Sequence, residues 1–458
     1  MHWSWAAIAL ALWALPASAK DADEDERWNA YGQATYIRNI HDAFSAAYTN
    51  LNGSPNSLLP EKERSWSATA TAYLGVKPWR GAEVFFVPEM IAQVAFSELH
   101  GLGGSVQNGE LEKTGFSTPI FYRSRLFLRQ TWNLGGDASR QESAPMQLAK
   151  SVQSRRFVLT AGNLAIIDIF DRNAVAGDIR QQFLSMNFAT YAAYDFAADA
   201  RGYSWGLAGE YFHDEWALRA GRFLGPRLPN QLALEHRFMK YYGDQVELEH
   251  QHQLGGRPGK LQFLVYRNVA LMGRWNDAID ALRADPGKAA ANCTELNYGS
   301  ENPTAPDLCY VRGRRVKVGA GVSVEQSLTD DIGVNLRAMK SDGRTEVDAF
   351  ESADSSLALA ALVKGTRWRR AQDSVGIGVA QNWISSAHAN FLAMGGVDAF
   401  IGDGRIRQRP ERAFEAYYNI GVTKLSWLTL DWQRVENPAY NADRGPVNIY
   451  GFRLHAEF

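Results

Sequence analysis

Long segments in which apolar and polar residues alternate with a period of two constrain the fold of this chain most. In the segment 64–79, Trp66, Leu74 and Val76 fall on one face, and Tyr73 falls on the other with serines and threonines. Such alternation is typical of strands that separate an apolar environment from a wet one. Strands of globular proteins average about 5–6 residues, whereas a tilted membrane strand needs about 9–11. The longer pattern favours membrane strands.

Sixteen such segments are predicted. They begin near residues 28, 64, 81, 120, 155, 202, 215, 241, 260, 313, 332, 355, 373, 412, 426 and 447. Tight connections such as 77–81 alternate with long polar ones such as 165–201 and 270–312, with 135–154 as one inflated turn. This alternation predicts an all-β fold, a transmembrane antiparallel β-barrel with short periplasmic turns and long extracellular loops. A further hairpin over 183–196 would give eighteen strands, and that alternative is left open.

The last segment carries Phe452, Leu454, Ala456 and Phe458 on its apolar parity. Hydrocarbon cannot solvate free backbone N–H and C=O groups, so a spanning sheet must close on itself. Closing the last strand onto the first predicts Phe458 as an anchor at the membrane interface. The same strand is the segment through which we expect the barrel-assembly machinery to act.

Residues 1–19 have the pattern of a cleaved signal peptide, in which the apolar run 6–15 precedes Ala-Ser-Ala at 17–19, although no Lys or Arg precedes that run. An acidic lead-in over 20–27 and a single barrel domain over 28–458 are expected to follow, because no linker composition interrupts the chain. The absence of another apolar run of 18 residues excludes a helical membrane protein. A net charge of −2 lacks the excess of basic residues that is typical of nucleic-acid-binding proteins. The expected location is the Gram-negative outer membrane, in contact with its lipid.

Two cysteines, Cys293 and Cys309, lie in one polar stretch. An even count in an exported protein predicts a disulfide that clips a long loop, with two free thiols as the alternative. No metal site is predicted. The segment 202–206 matches the G-x-S-x-G elbow, but strand alternation continues where that motif requires a helix. We therefore predict no enzyme and no cofactor, and a barrel enzyme stays the least favoured alternative.

Charged and aromatic residues on the wet parity of the strands are predicted to line the lumen and to bind substrate. They are Tyr73, Glu83, Glu89, Arg123, Arg125, Arg129, Glu247, Glu249, Arg315, Lys317 and Arg337. Both signs of charge with aromatic faces suit a neutral polar solute such as a sugar. The alternative is that these charges only pair with one another across a water-filled wall. A slip of one residue in register would turn each of them outward.

Two loop segments are predicted to narrow the channel. The first carries Asp168, Phe170 and Asp171, and the second, unusually apolar for an exposed loop, carries His388 and Phe391. An apolar loop on a barrel of this kind is expected to fold inward. Packing against the wall is the alternative, and it is compatible with the first expectation.

Four segments together resemble the carbohydrate-selective porins of Gram-negative outer membranes, the OprB-like group. They are 121–132, 197–206, 388–406 and 437–458. The resemblance implies a sixteen-stranded barrel that passes glucose and related small neutral saccharides by facilitated diffusion. It also implies charged and aromatic residues at a constriction made by inward-folded loops, which points to Arg123, Arg125, Arg129 and the loop 385–405.

The composition of the predicted lumen leaves a second solute class to be considered. A channel for a charged polysaccharide or an organic anion would need a continuous arginine ladder, and the balanced charges argue against it. Association of the barrels as homo-trimers is left open by the sequence.

Overall fold

The computed structural model describes residues 25–349 and 352–458, and its sixteen strands form one closed antiparallel barrel. Each strand pairs with its neighbours along the chain, and the last strand pairs with the first. The strands are β1 Trp28–His41, β2 Glu63–Val76, β3 Ala82–Val94, β4 Ile120–Gln141, β5 Lys150–Leu164, β6 Ser204–His213, β7 Trp216–Leu224, β8 Tyr242–Leu254, β9 Arg257–Met272, β10 Gly313–Ser327, β11 Ile332–Ser341, β12 Ser355–Lys364, β13 Ser374–Trp383, β14 Glu411–Thr423, β15 Ser426–Glu436 and β16 Val447–Glu457.

The barrel closes through antiparallel pairing of its first strand with its last, as the sequence predicts. Gln33 of β1 lies opposite Glu457 of β16, and His41 lies opposite Ile449. Beyond β16, the backbone N–H of Phe458 donates to the carbonyl of Gly32 at 3.0 Å. The Phe458 side chain is 55% exposed at the outer edge of the barrel. The predicted leader, residues 1–19, lies outside the described residues.

The strands have one face toward the lumen and one face outward, as the period of two predicts. On β2, Tyr73 is 8% exposed, whereas its neighbour Leu74 is 43% exposed. On β9, Leu264 is fully buried, whereas Phe263 is 49% exposed. An outward belt of exposed Leu, Val and Phe therefore surrounds a buried, mostly polar lumen, as expected of a barrel in lipid.

Short turns join the strands at one end of the barrel, and long loops join them at the other. We call these the turn end and the loop end. The loops used below are L2 (95–119), L3 (165–203), L5 (273–312) and L7 (384–410). The region 183–196 lies in L3 and contains a short helix, α1 Met186–Ala189, so the alternative of eighteen strands is wrong.

Loops fill the loop end of the barrel with apolar packing. One buried cluster joins Phe127 of the wall, Tyr194 of L3, Trp275 of L5 and Phe391 of L7. L5 and L7 contribute two further helices, α2 Trp275–Ala284 and α3 Ser386–Ala393. Among the described residues, no helix is both long enough and apolar enough to cross a membrane.

The disulfide that the cysteine count predicts is present. Cys293 and Cys309 are bonded within L5, with their Cα atoms 6.7 Å apart. The bond closes a loop over a sequence separation of 16 residues at the loop end. Both cysteines lie between α2 and β10 in the chain.

Candidate functional site

A cavity of about 1200 Å³ occupies the lumen toward the turn end. Its wall comes from β1, β2, β4–β10 and β16, and L2 and L3 form its inner boundary. Residues 141–147 of the long β4–β5 hairpin and Leu425 of another turn line its mouth. The volume exceeds that of ordinary small-ligand pockets, which hold about 300–1,000 Å³. It is large enough to admit a hydrated solute.

One side of the cavity is a row of arginines whose guanidinium groups lie over aromatic rings. The pairs are Arg125 with Tyr203 at 5.2 Å, Arg129 with Phe127 at 5.2 Å, Arg156 with Phe212 at 3.8 Å and Arg219 with Phe212 at 5.6 Å. An arginine held over a ring keeps its N–H donors free around its edge. This wall of β4–β7 therefore offers both flat apolar faces and hydrogen-bond donors.

Arg123 does not line the lumen, contrary to the sequence prediction. The β3–β4 register shifts between Val87 and Pro88. Val87 lies opposite Arg125 and Pro88 lies opposite Arg123, so no residue of β3 lies opposite Ser124. Such a β-bulge inverts the parity of a strand on one side of it. Arg123 is exposed on the outer face and lies 5.0 Å from the ring of Trp205. No feature of the local alternation signals this bulge.

Carboxylates of both wall and loop pair with the arginine row. Asp168 of L3 accepts from Nε and Nη2 of Arg125 at 2.6 and 2.7 Å. Arg219 donates to both Glu247 and Glu249 at 2.9 Å. Because most of these charges are paired, the lining offers alternating donors and acceptors in place of a single sign of charge.

Glu89 is the centre of a second buried network at the inner end of the cavity. It accepts from Lys113 of L2 at 3.0 Å and from Arg180 of L3 at 2.8 Å, and also from Tyr122. Arg180 donates to the hydroxyl of Tyr73 at 2.8 Å. Lys113 and Arg180 lie in loops without periodicity, so the sequence pattern could not place them here. The network ties L2 and L3 to β2, β3 and β4.

Three of the other predicted residues anchor loops to the wall. Arg337 donates to Asp171 of L3 at 3.0 Å, and Lys317 donates to Asp195 of L3 at 2.8 Å. Arg315 reaches Asp277 of α2 at 3.2 Å. Only Asp171 of these six side chains borders the cavity. The remaining predicted carboxylate, Glu83, lies near the turn end.

Glu83 holds the hairpin that forms the mouth of the cavity. Its carboxylate accepts from the backbone N–H of Leu148 at 2.9 Å and binds the ammonium of Lys150. Arg129 approaches the same carboxylate at 3.9 Å. The predicted residue Glu83 thus fixes the β4–β5 turn and does not line the cavity directly.

The predicted loop residues divide between the cavity and the packed loop end. Asp168 and Asp171 border the cavity, whereas Phe170 is fully buried against Phe223. His388 stacks on Trp275 with ring centroids 4.1 Å apart, and Phe391 packs on the same indole at 5.0 Å. His388 and Phe391 are both buried and do not border the cavity, so they belong to the packing between L5 and L7.

Burial alters the acidity of a loop carboxyl at the cavity. Glu112 of L2 borders the cavity but is itself buried, and desolvation raises its pKa to about 8. Burial also raises the pKa of Asp171, against the lowering effect of Arg337. A neutral Glu112 adds a hydrogen-bond donor to the lining near pH 7.

The model of one protein family, carbohydrate-selective porin, OprB family, matches residues 79–458. The high-pH structure of Pseudomonas putida OprB is similar over 94% of each chain, with 13% identity and a TM-score of 0.64. The outer membrane channel DcaP of Acinetobacter baumannii is similar over 94% of this chain and 97% of its own, with 7% identity and a TM-score of 0.51. No curated protein sequence matches this chain. At such identities the structural likeness establishes the fold.

Proposed function

This chain belongs to the OprB family of carbohydrate-selective porins, and we propose that it passes small neutral saccharides of the glucose type by facilitated diffusion. Family and fold make it an outer-membrane channel of a Gram-negative cell. The part that we propose is the class of solute, a small neutral sugar of the glucose type. The observation that supports it is the row of arginines over aromatic rings beside paired carboxylates.

A sugar needs a lining with donors, acceptors and flat apolar faces. Guanidinium N–H groups of Arg125 and Arg219 donate to hydroxyls, and carboxylates such as Asp168 accept from them. The partly exposed ring of Phe212 offers a surface for the C–H face of a pyranose. Contacts of this kind are individually weak and distributed, which suits conduction, because a solute must leave as readily as it enters.

An anionic saccharide is the second candidate, and two side chains favour it. Within the described residues, Arg156 and Arg201 border the cavity without an ion pair to a carboxylate. Arg156 donates to the carbonyl of Gln153 at 2.9 Å, and Arg201 donates to the carbonyl of Lys113 at 3.2 Å. Two unneutralised cations would attract a uronate more than a neutral sugar.

Swelling of proteoliposomes separates the two candidates. We expect glucose and maltose to enter faster than galacturonate at equal osmolarity, and Arg125→Gln to slow glucose entry several-fold. Lys62→Gln, which alters a pair between exposed loop residues, is the matched control and should not change the rates. Faster entry of galacturonate would favour the anion channel. Folded protein that admits no solute would contradict both candidates.

A further inference from the structure

The outer wall of the barrel carries an unequal distribution of charge. Near the loop ends of the strands, nine basic side chains point outward in the described part of the chain. They are Arg38, Arg64, Arg123, Arg222, Arg267, Arg314, Lys340, Arg412 and Arg434. Among the described residues, Asp244 and Glu436 point outward there with the opposite sign, and Asp342, directly after β11, borders the same outer wall. The loop end faces the cell exterior in barrels with long loops at one end. The basic residues therefore lie at the level of the outer leaflet headgroups.

The two ends of the barrel differ in whether their outward basic side chains form ion pairs. At the turn end, Arg155 pairs with Asp214 at 2.8 Å, and Arg257 pairs with Asp330 at 2.5 Å. At the loop end, within residues 25–349 and 352–458, six of the nine basic side chains have no carboxylate within 4 Å. They are Arg38, Arg64, Arg123, Arg314, Lys340 and Arg412. Cations at a membrane surface that have no carboxylate partner in the protein attract anionic lipid headgroups.

A groove on this outer wall has the shape for a lipid chain. Its volume is about 660 Å³, and its floor is made of Val246, Val265, Val318 and Ala320, which are short side chains on β8, β9 and β10. Along the same faces, the flanking outward positions carry larger residues, among them Leu248 and Phe263, which are 42% and 49% exposed. The groove arises because small residues lie side by side on three adjacent strands.

Two of the basic side chains stand at the edge of this groove. Arg267 lies opposite Val318 across the β9–β10 pair, and Lys340 lies opposite Ala320 across the β10–β11 pair. Because β10 separates them, their backbones are roughly 10 Å apart. Arg267 is partly neutralised by Asp244 at 3.6 Å, whereas Lys340 forms no ion pair within the described chain. Two long cationic side chains at this spacing can hold one phosphate between them.

We propose that this groove binds a phosphorylated glycolipid of the outer leaflet. One acyl chain lies along Val246, Val265 and Val318, and a sugar phosphate is held between Arg267 and Lys340. A further unpaired cation, Arg314 at the loop end of β10, fits a headgroup that carries more than one anionic group. A phospholipid with a single phosphate would leave those cations without partners.

Native mass spectrometry of the full-length barrel in detergent tests this site with bisphosphorylated lipid A as the probe. We expect R267Q/K340Q to weaken lipid A binding by about tenfold or more, since each cation near a membrane surface contributes substantially to anionic lipid affinity. R155Q/R257Q is the matched control, because Arg155 and Arg267 have similar side-chain exposures of 47% and 49%. That control should retain lipid A as the wild type does.

A second variant tests the chain-binding part of the groove. Ala320→Phe fills the floor while both cations remain, and we expect it to weaken binding of lipid A by several-fold. Equal binding by wild type and R267Q/K340Q would overturn the proposal, and so would equal retention of phosphatidylglycerol and lipid A by the wild type. All variants are first checked for heat-modifiable migration as folded barrels. Their sugar conductance should be unchanged, so failure here is distinguishable from failure of the channel proposal.

Discussion

The inner wall of the barrel has two halves that carry similar charges but use them differently. On β4–β7, arginines border the cavity. On β11–β16, several inward charges are covered by L3 and hold it in place. Arg337 binds Asp171, Arg453 donates to the carbonyls of Ile179 and Gln182 at 2.8 Å, and Glu415 accepts from the backbone N–H of Leu184 at 2.6 Å. We call these halves the cavity side and the plug side.

This difference shows that a charge on the wet parity of a strand does not by itself identify a pore lining. The loop that covers the strand decides whether the charge meets solute or anchors protein. A charge on the plug side should affect stability and the width of the channel, whereas a charge on the cavity side should affect which solute passes. The following variants test this division.

The largest effect is expected from Arg337→Met on the plug side. Breaking a buried ion pair leaves Asp171 without its partner and costs about 3–5 kcal/mol in free energy of unfolding. We expect L3 to loosen and the single-channel conductance to rise, with earlier unfolding in a urea titration. The double variant R337M/D171L removes both charges and should recover most of the stability. An unchanged conductance in Arg337→Met would contradict the anchoring role of this pair.

A smaller and different effect is expected from Arg156→Ala on the cavity side. Arg156 has no carboxylate partner within the described residues, so its removal should change the free energy of unfolding by about 1 kcal/mol or less. The anion-to-cation permeability ratio, measured as a reversal potential across a KCl gradient, should fall about twofold. A large loss of stability with unaltered ion preference would remove the distinction between the two sides.

A pH-dependent change in ion preference is expected from Glu112 of L2. Its pKa of about 8 in the folded protein lies above the usual 4.5, so the folded state keeps a proton that the unfolded chain has released between these values. The contribution of Glu112 to stability therefore falls as pH rises through that window. Above pH 8 the cavity gains a negative charge, and the reversal potential should shift toward cations. Glu112→Gln should lack this shift, and a shift that persists in Glu112→Gln would have another source.

The smallest effect on the channel is expected from removal of the disulfide in L5. A bond that closes a loop of about 15 residues stabilises by about 3 kcal/mol in the chain-entropy description. Since Cys293 and Cys309 lie together in L5, that loss should be local. We expect C293S/C309S to be cleaved faster by protease within residues 285–312, with barrel migration and conductance as in the wild type. A change in conductance would show that L5 contributes to the channel.

Strand positions were predictable because lipid and lumen impose a strict period of two. The predicted start near 313 and the observed Gly313 agree, as do 447 and Val447. The predicted start near 155 is late, because β5 begins at Lys150 in a hairpin that extends past the membrane belt with polar residues on both faces. The period of two, together with the alternation of short and long connections, predicted a closed barrel of sixteen strands.

The functional residues were predictable only in part, for three physical reasons. A single bulged residue, Ser124, turned Arg123 outward, and parity cannot reveal a bulge. The path of L3 through the lumen decided the roles of Arg337 and Lys317, and loops carry no period. Arg156 lies on the wet parity beside Phe157 and could have been included, whereas nothing in the sequence around Arg180 indicates that it reaches Glu89.

The central claim is that the cavity-side arginines and aromatic rings form a binding path for neutral sugars. Single-channel conductance in a planar bilayer, titrated with glucose, maltose and a uronate, tests it most directly. We predict saturable block by both neutral sugars in the wild type, with block weakened by Arg125→Gln and retained in Arg155→Gln. Block by the uronate alone, or conductance that no sugar alters, would contradict the claim.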